Sequence, residues 1–187
     1  MTLFPVLVAF LIGERVLELA IAERNRRWAL RQGGREHGQW HYPIIVAMHS
    51  SFYLALVAEH RWLSRGWDPL WPAWLALVAV AQGLRFWAIS SLGRFWNTRI
   101  IVVPGFRPVS RGPYRWIRHP NYVAIVLEFF AVPVLCGAYL TAVVFSALNA
   151  AMLYIRIREE ERALREIAGT DDWSRLPRFL PARKHER

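Results

Sequence analysis

Cysteine and lysine are nearly missing from this chain of 187 residues. It has one cysteine, Cys136, and a single lysine, Lys184, among 24 basic side chains. One cysteine excludes an intrachain disulfide and any cysteine-based zinc cluster. Cys136 lies in an apolar stretch and reads as a small packing residue. No internal repeat or low-complexity tract is present. The first segment has no basic stretch ahead of its apolar core, and Glu14, Arg15 and Glu18 interrupt that core. Ala20-Ile-Ala22 is therefore read as part of a retained helix over residues 3–22, not as a cleavage site. Acid is absent from residues 93–121, which carry Arg94, Arg99, Arg107, Arg111, Arg115 and Arg118.

Apolar residues, by contrast, are abundant. At 55% of the chain they fall in blocks at about 3–22, 42–58, 71–91, 122–136 and 138–155, too many for an ordinary soluble domain. The second and third blocks approach the ~20 residues that cross a bilayer. The last two are short and meet at Cys136-Gly137, just after Pro133. Proline and glycine there predict a helical hairpin, with extensions back toward His119 and on to Arg165. The fold class expected is all-α and integral to a membrane, with about five transmembrane helices and a cytoplasmic-side cofactor pocket. Residues 1–92 form the N-terminal helices, and residues 93–187 the cofactor-binding half of one embedded unit.

A formal charge of +10 raises the possibility of nucleic-acid binding. The distribution argues against it. Segment 23–40 has five arginines against Glu23 and Glu36, and segment 93–121 has six and no acid. Segment 58–70 is balanced, with Arg61 and Arg65 against Glu59 and Asp68. Alternation between apolar blocks is the positive-inside pattern. It places segments 23–40 and 93–121 in the cytoplasm, the N-terminus outside and the C-terminus inside. The tail 156–187, with nine basic and seven acidic residues, is expected to be a solvated helix with a surface-hugging end. The partners expected are a lipophilic small molecule and membrane lipid, with no nucleic acid.

Three clusters share this boundary: Gly93-Arg-Phe-Trp-Asn-Thr-Arg-Ile100, Arg111-Gly-Pro-Tyr-Arg-Trp-Ile-Arg-His-Pro-Asn-Tyr122 with its approach Pro104 to Ser110, and Arg156-Ile-Arg-Glu-Glu-Glu-Arg-Ala-Leu164. Pro104, Pro108, Pro113 and Pro120 forbid a continuous helix through the middle stretch. Irregular backbone at membrane depth must be buried in protein or line a cavity. A plain loop touching anionic headgroups is the simpler alternative. Arg156 and Glu160 share a helix face and by spacing alone form an ordinary ion pair. Glu14, Arg15 and Glu18 read as a structural polar seam, with Arg15 pairing to Glu18. Glu128, inside an apolar run, is a functional candidate that Gln82 and Arg85 can meet. His37 and His41 have metal-ligand spacing, but Gly38 weakens a helix there and no third ligand is near; no metal site is assigned.

The run Gly112 to Tyr122 resembles the Gly-x-Tyr…Arg-His-Pro-x-Tyr motif of the isoprenylcysteine carboxyl methyltransferases. Arg156-Ile-x-x-Glu160-Glu161-x-x-Leu164 resembles their C-terminal Arg-x-x-x-Glu-Glu helix. The resemblance covers about residues 93–180. The N-terminal half, with Glu36-x-Gly38-x-x-His41-Tyr-Pro43, looks like a bacterial branch often associated with type III polyketide synthases.

The resemblance implies S-adenosylmethionine as methyl donor. Arg99, Val109, Tyr114, His119, Pro120, Asn121, Tyr122 and Glu160 then fall at cofactor positions. Arg156 matches the position that holds the acceptor, and Arg156 and Glu160 are the expected catalytic pair. Glu128, Trp96 and Asn97 join Arg156 on the acceptor side. The function expected is O-methylation of a lipophilic acceptor, an alkylpyrone- or alkylresorcinol-like polyketide or a prenylcysteine-like carboxylate. Three rivals stand beside it. A sterol-type membrane reductase using NADPH also carries Arg-His-Pro-Asn-Tyr. A phospholipid N-methyltransferase differs in the acceptor atom. A membrane scaffold or transporter subunit would bind no cofactor.

Overall fold

The apolar blocks of the sequence become five helices. A computed structural model describes residues 3–63, 66–168 and 176–179. Its helices are α1 (Leu3–Arg31), α2 (Tyr42–Leu63), α3 (Trp71–Leu92), α4 (Pro120–Leu135) and α5 (Tyr139–Ala168). Two three-residue strands, β1 (Arg35–His37) and β2 (Ile100–Val102), pair antiparallel. Three segments are long and apolar enough to cross a membrane: Gln39–Leu63, Trp71–Phe95 and Tyr139–Glu166. Five helices were expected as spans, and the other two differ from these three. α1 carries Glu14, Arg15 and Glu18 in its middle. α4 has 16 residues, or ~24 Å, against a hydrocarbon core of roughly 30 Å.

Small residues set how the inner helices pack. Ala81, Ala88 and Ser91 on α3 and Ala124 and Ala131 on α4 are all buried, so the two backbones approach closely. At one end of the bundle Phe52 stacks on Phe129 at 4.5 Å and meets Phe145 edge-on at 5.6 Å. Leu11, Leu56, Val132 and Leu135 complete this core.

The α4–α5 hairpin turns where proline and glycine predicted. Pro133 lies inside the last turn of α4, Gly137 takes φ +70°, and the Ala138 N–H returns to the Pro133 carbonyl at 2.8 Å. α4 begins at Pro120, directly after His119, and α5 runs beyond Arg165. The remainder of the expected tail, apart from residues 176–179, lies outside the described residues. No acid occupies the first turn of α5. Buried Glu59 of α2 does that work from outside: its carboxylate accepts from the Leu140 N–H (2.9 Å), the Thr141 N–H (2.7 Å) and the Thr141 hydroxyl (2.7 Å). A negative group at a helix N-terminus satisfies orphan donors and complements the dipole.

The arginine-rich segments gather at the other end. Asn25 donates to the carbonyls of Gly93 (3.1 Å) and Trp96 (2.8 Å), tying α1 to the loop after α3. The β-ladder aligns Arg35 with Val102 and His37 with Ile100. Neither strand was expected; Ile100-Ile-Val102 is β-branched and suits an extended edge. His37 lies in β1 and His41 in the short turn before α2, separated by Gly38 at φ +61°. Gly112, at φ +58°, presses on α3 so closely that a Cβ there would lie 2.0 Å from Ser91 Oγ.

Two substitutions check this architecture. Glu59→Ala strands the α5 donors and should cost about 1–3 kcal/mol, read as a lower Tm of the detergent-solubilised protein. Gly112→Ala meets both a left-handed backbone and Ser91, and should cost about 2 kcal/mol or more. If either variant melts with the parent protein, the corresponding contact is not holding the fold.

Candidate functional site

The loop between α3 and α4 cannot be helical, so its backbone folds into a wall. β2 pairs with β1, the turn Gly112–Arg115 buries Pro113 and Tyr114 against α3, and α4 starts at Pro120. Residues 177–179 cover the junction: the Arg118 N–H donates to the Pro177 carbonyl (2.9 Å) and the His119 N–H to the Arg178 carbonyl (3.1 Å). A cavity opens inside this wall, bounded by Trp96, Arg99, Phe106, Val109, Tyr114, His119, Asn121, Tyr122, Arg156 and Glu160.

Arg156 and Glu160 do not pair directly, as their spacing on one helix face allowed. Tyr122 stands between them. Arg156 Nε donates to the Tyr122 hydroxyl at 2.8 Å, and that hydroxyl donates to Glu160. Arg156 Nη2 donates to the Thr98 carbonyl at 2.7 Å. Of five guanidinium N–H groups, two are so engaged among the described residues. Arg156 is therefore clamped in position with donors to spare.

His119 is buried, with Nε2 3.2 Å from Glu161 Oε1 and its ring stacked on Tyr122 at 5.2 Å. Glu161 also meets Arg118 (3.0 Å) and Arg178 (2.7 Å). It is thus a hub that sequence reasoning left without a role, although the motif Glu160-Glu161 contained it. Burial, reinforced by the Glu160 charge, pushes the Tyr114 hydroxyl well above its ordinary range, so this wall stays a neutral phenol. Burial likewise lowers Arg118, with Glu161 opposing.

Arg99 lines the cavity while bonded to Glu36 at 2.6 Å and lying 4.0 Å over the Tyr42 ring. Glu36 and Tyr42 come from the N-terminal half, a contribution invisible without the β1–β2 pairing. Asn97 donates to the Ala22 carbonyl at 3.1 Å and accepts from the Arg99 N–H at 3.0 Å.

A second cavity of about 290 Å³ lies among α1, α2, α4 and α5. Ile12, Val16, Leu19, Val46, Met48 and Ile125 give it apolar walls. Trp96, Asn97, Asn121, Tyr122 and Arg156 line both cavities. In that shared wall two buried atoms have no hydrogen-bond partner among the described residues, the donor Trp96 Nε1 and the acceptor Asn121 Oδ1. Two candidates sit elsewhere. Pro120 is buried and lines neither cavity, serving as the first residue of α4. Glu128 lies behind the apolar chamber, bonded to Arg15 (2.6 Å) and Arg85 (2.8 Å). Arg15 pairs with Glu18 at 2.5 Å, as its spacing suggested. Gln82 meets Glu14 at 2.8 Å instead of Glu128.

Comparison with known proteins bears on this geometry. The chain is 43% identical over 164 residues to the uncharacterized protein YpbQ of Bacillus subtilis, covering 88% of this chain and 98% of that one. An uncharacterized protein of Haemophilus influenzae is 25% identical, over 83% of this chain and 91% of its own. The nickel-cobalt-cadmium resistance protein NccN of Alcaligenes xylosoxydans xylosoxydans is also 25% identical, over 77% of this chain and 63% of its own. Residues 74–166 match the isoprenylcysteine carboxyl methyltransferase (ICMT) family. That span holds Trp96, Tyr114, His119, Tyr122, Arg156 and Glu160, and the chain belongs to the isoprenylcysteine carboxyl methyltransferase family.

Proposed function

We propose that this membrane methyltransferase is S-adenosylmethionine-dependent and methylates an oxygen of a lipophilic acceptor at the wall between its two cavities. The observation that carries the reading is the sharing of Trp96, Asn97, Asn121, Tyr122 and Arg156 by a loop-walled polar cavity and an apolar chamber. A charged donor and a greasy acceptor need different surroundings and one common boundary. The loop-walled side suits the donor. Tyr122 and Tyr114 present aromatic surface for a sulfonium, Asn121 Oδ1 is an unused acceptor for an ammonium N–H, and Arg99 and Arg107 line the same cavity for a carboxylate. S-adenosylmethionine would supply a methyl group on a cationic sulfur, open to in-line attack by a nucleophilic oxygen.

The protein's own contribution is positioning. Arg156, fixed by Tyr122 and Thr98, keeps N–H groups with which to align an acceptor oxygen. Glu160 fixes Tyr122 from the donor side. An ionised carboxylate or acidic enol needs no general base, whereas a phenol does. His119 lines only the donor cavity and is engaged by Glu161, so the geometry favours an acceptor that arrives already acidic. Among lipophilic acceptors this favours an alkylpyrone-like enol or a prenylcysteine-like carboxylate over an alkylresorcinol. The site is read as facing the cytoplasm, with the N-terminus outside, from the arginine distribution.

Titration with S-adenosylmethionine and with NADPH tests the donor directly. Saturable binding of the former alone is expected, and binding of NADPH alone would move the chain to the reductase reading. Arg156→Ala should lower kcat by about 100-fold while leaving donor Kd nearly unchanged. Glu160→Ala should weaken donor binding by roughly tenfold or more. Tyr122→Phe cuts the link between them and should impair both. Mass spectrometry of products from a panel of long-chain acids, enols, phenols and phospholipids identifies the atom methylated; a methylated phospholipid nitrogen would reject O-methylation.

A further inference from the structure

The apolar chamber extends well past the reacting end. Asn149 and Arg156 both line it. They are seven residues apart on α5, about two turns, which puts them ~10 Å apart on one helix face. Asn149 is 3% exposed, and its side chain makes no hydrogen bond among the described residues. A buried amide without a partner in an apolar span is costly. Here it opens on a cavity, where a ligand atom can satisfy it.

The opposite wall at this depth is also polar. Ala22 of α1 is level with the shared wall through its bond from Asn97, and Arg15 lies seven residues further along, again ~10 Å away. Arg15, Glu18 and Arg85 line the chamber. Arg85 bonds Glu18 at 2.5 Å and Glu128 at 2.8 Å; Arg15 bonds the same two carboxylates. Two cations thus face two anions. A charged ligand group here would leave one charge uncompensated away from water, whereas a neutral hydroxyl or carbonyl would not.

We infer that the acceptor carries a second, neutral hydrogen-bonding group, a hydroxyl or carbonyl ~10 Å from the methylated atom, and that Asn149 binds it as a specificity residue. This rests on the methyl-transfer reading and sharpens it: the preferred acceptor is oxygenated along its length, not a plain hydrocarbon tail on one polar head. A merely structural Asn149, bridging helices, would not distinguish between acceptors.

The test uses the full chain in detergent micelles and two saturated long-chain acids of equal length. One is plain and the other bears a single hydroxyl ~10 Å from the carboxylate. Binding is measured by titration, and methylation by mass spectrometry with S-adenosylmethionine present. The parent protein should bind the hydroxylated acid roughly tenfold more tightly. Asn149→Ala should erase that preference by weakening the hydroxylated acid alone, with donor Kd unchanged. Asn149→Leu, which keeps the volume and removes the polar atoms, should do the same and serves if the alanine variant does not fold. Equal binding of both acids by the parent, no binding of either, or equal weakening of both in the variants would overturn the inference. A binding preference without methylation of either acid would leave the inference standing and count against methyl transfer to a carboxylate.

Discussion

One phenol holds the site together. The Tyr122 hydroxyl joins Arg156 and Glu160, one turn apart on α5, to the start of α4. Because α4 begins at Pro120, Tyr122 sits in its first turn, where helix, loop and both cavities meet. Remove that hydroxyl and Arg156 loses one of its two anchors while Glu160 loses the donor that orients it. Positioning on both sides of the wall between the two cavities therefore depends on the same few atoms.

Beneath that wall four charged side chains form one connected cluster inside the bundle. Arg15, Glu18, Arg85 and Glu128 come from α1, α3 and α4 and bond one another at 2.5–2.8 Å. Buried ion pairs are weak evidence of stability, since desolvation offsets much of their attraction. Breaking one partner away is far more costly, so the cluster fixes the relative depth of three helices. It also explains how α1, with charges in the middle of its length, lies in the bundle: Arg15 and Glu18 turn inward.

The sequence was legible wherever local chemistry decides structure. Pro120 and Gly137 marked the ends of α4, and Arg15–Glu18 followed from helical spacing. The arginine clusters converged because they flank the same ends of the apolar blocks. Contacts that depend on tertiary approach were hidden. Arg156 and Glu160 looked like an ion pair until Tyr122 came between them, and Glu128 looked like a cavity residue until Arg15 joined the expected Arg85 to enclose it. Glu161 sat in plain view beside Glu160, but helix geometry turns adjacent residues about 100° apart, so one faces the cavity and its neighbour meets His119, Arg118 and Arg178.

The short pairing of β1 with β2 has a consequence for biosynthesis. The chain emerges from the ribosome N-terminus first, and β1 is made some sixty residues before its partner strand. Until then the extended Arg35–His37 edge has no ladder. The loop wall next awaits α4, and closes only when α5 delivers Arg156 and Glu160. The pocket thus closes only after α5 has been made, and a chain stopped before α5 would lack the Arg156 and Glu160 walls of the cavity.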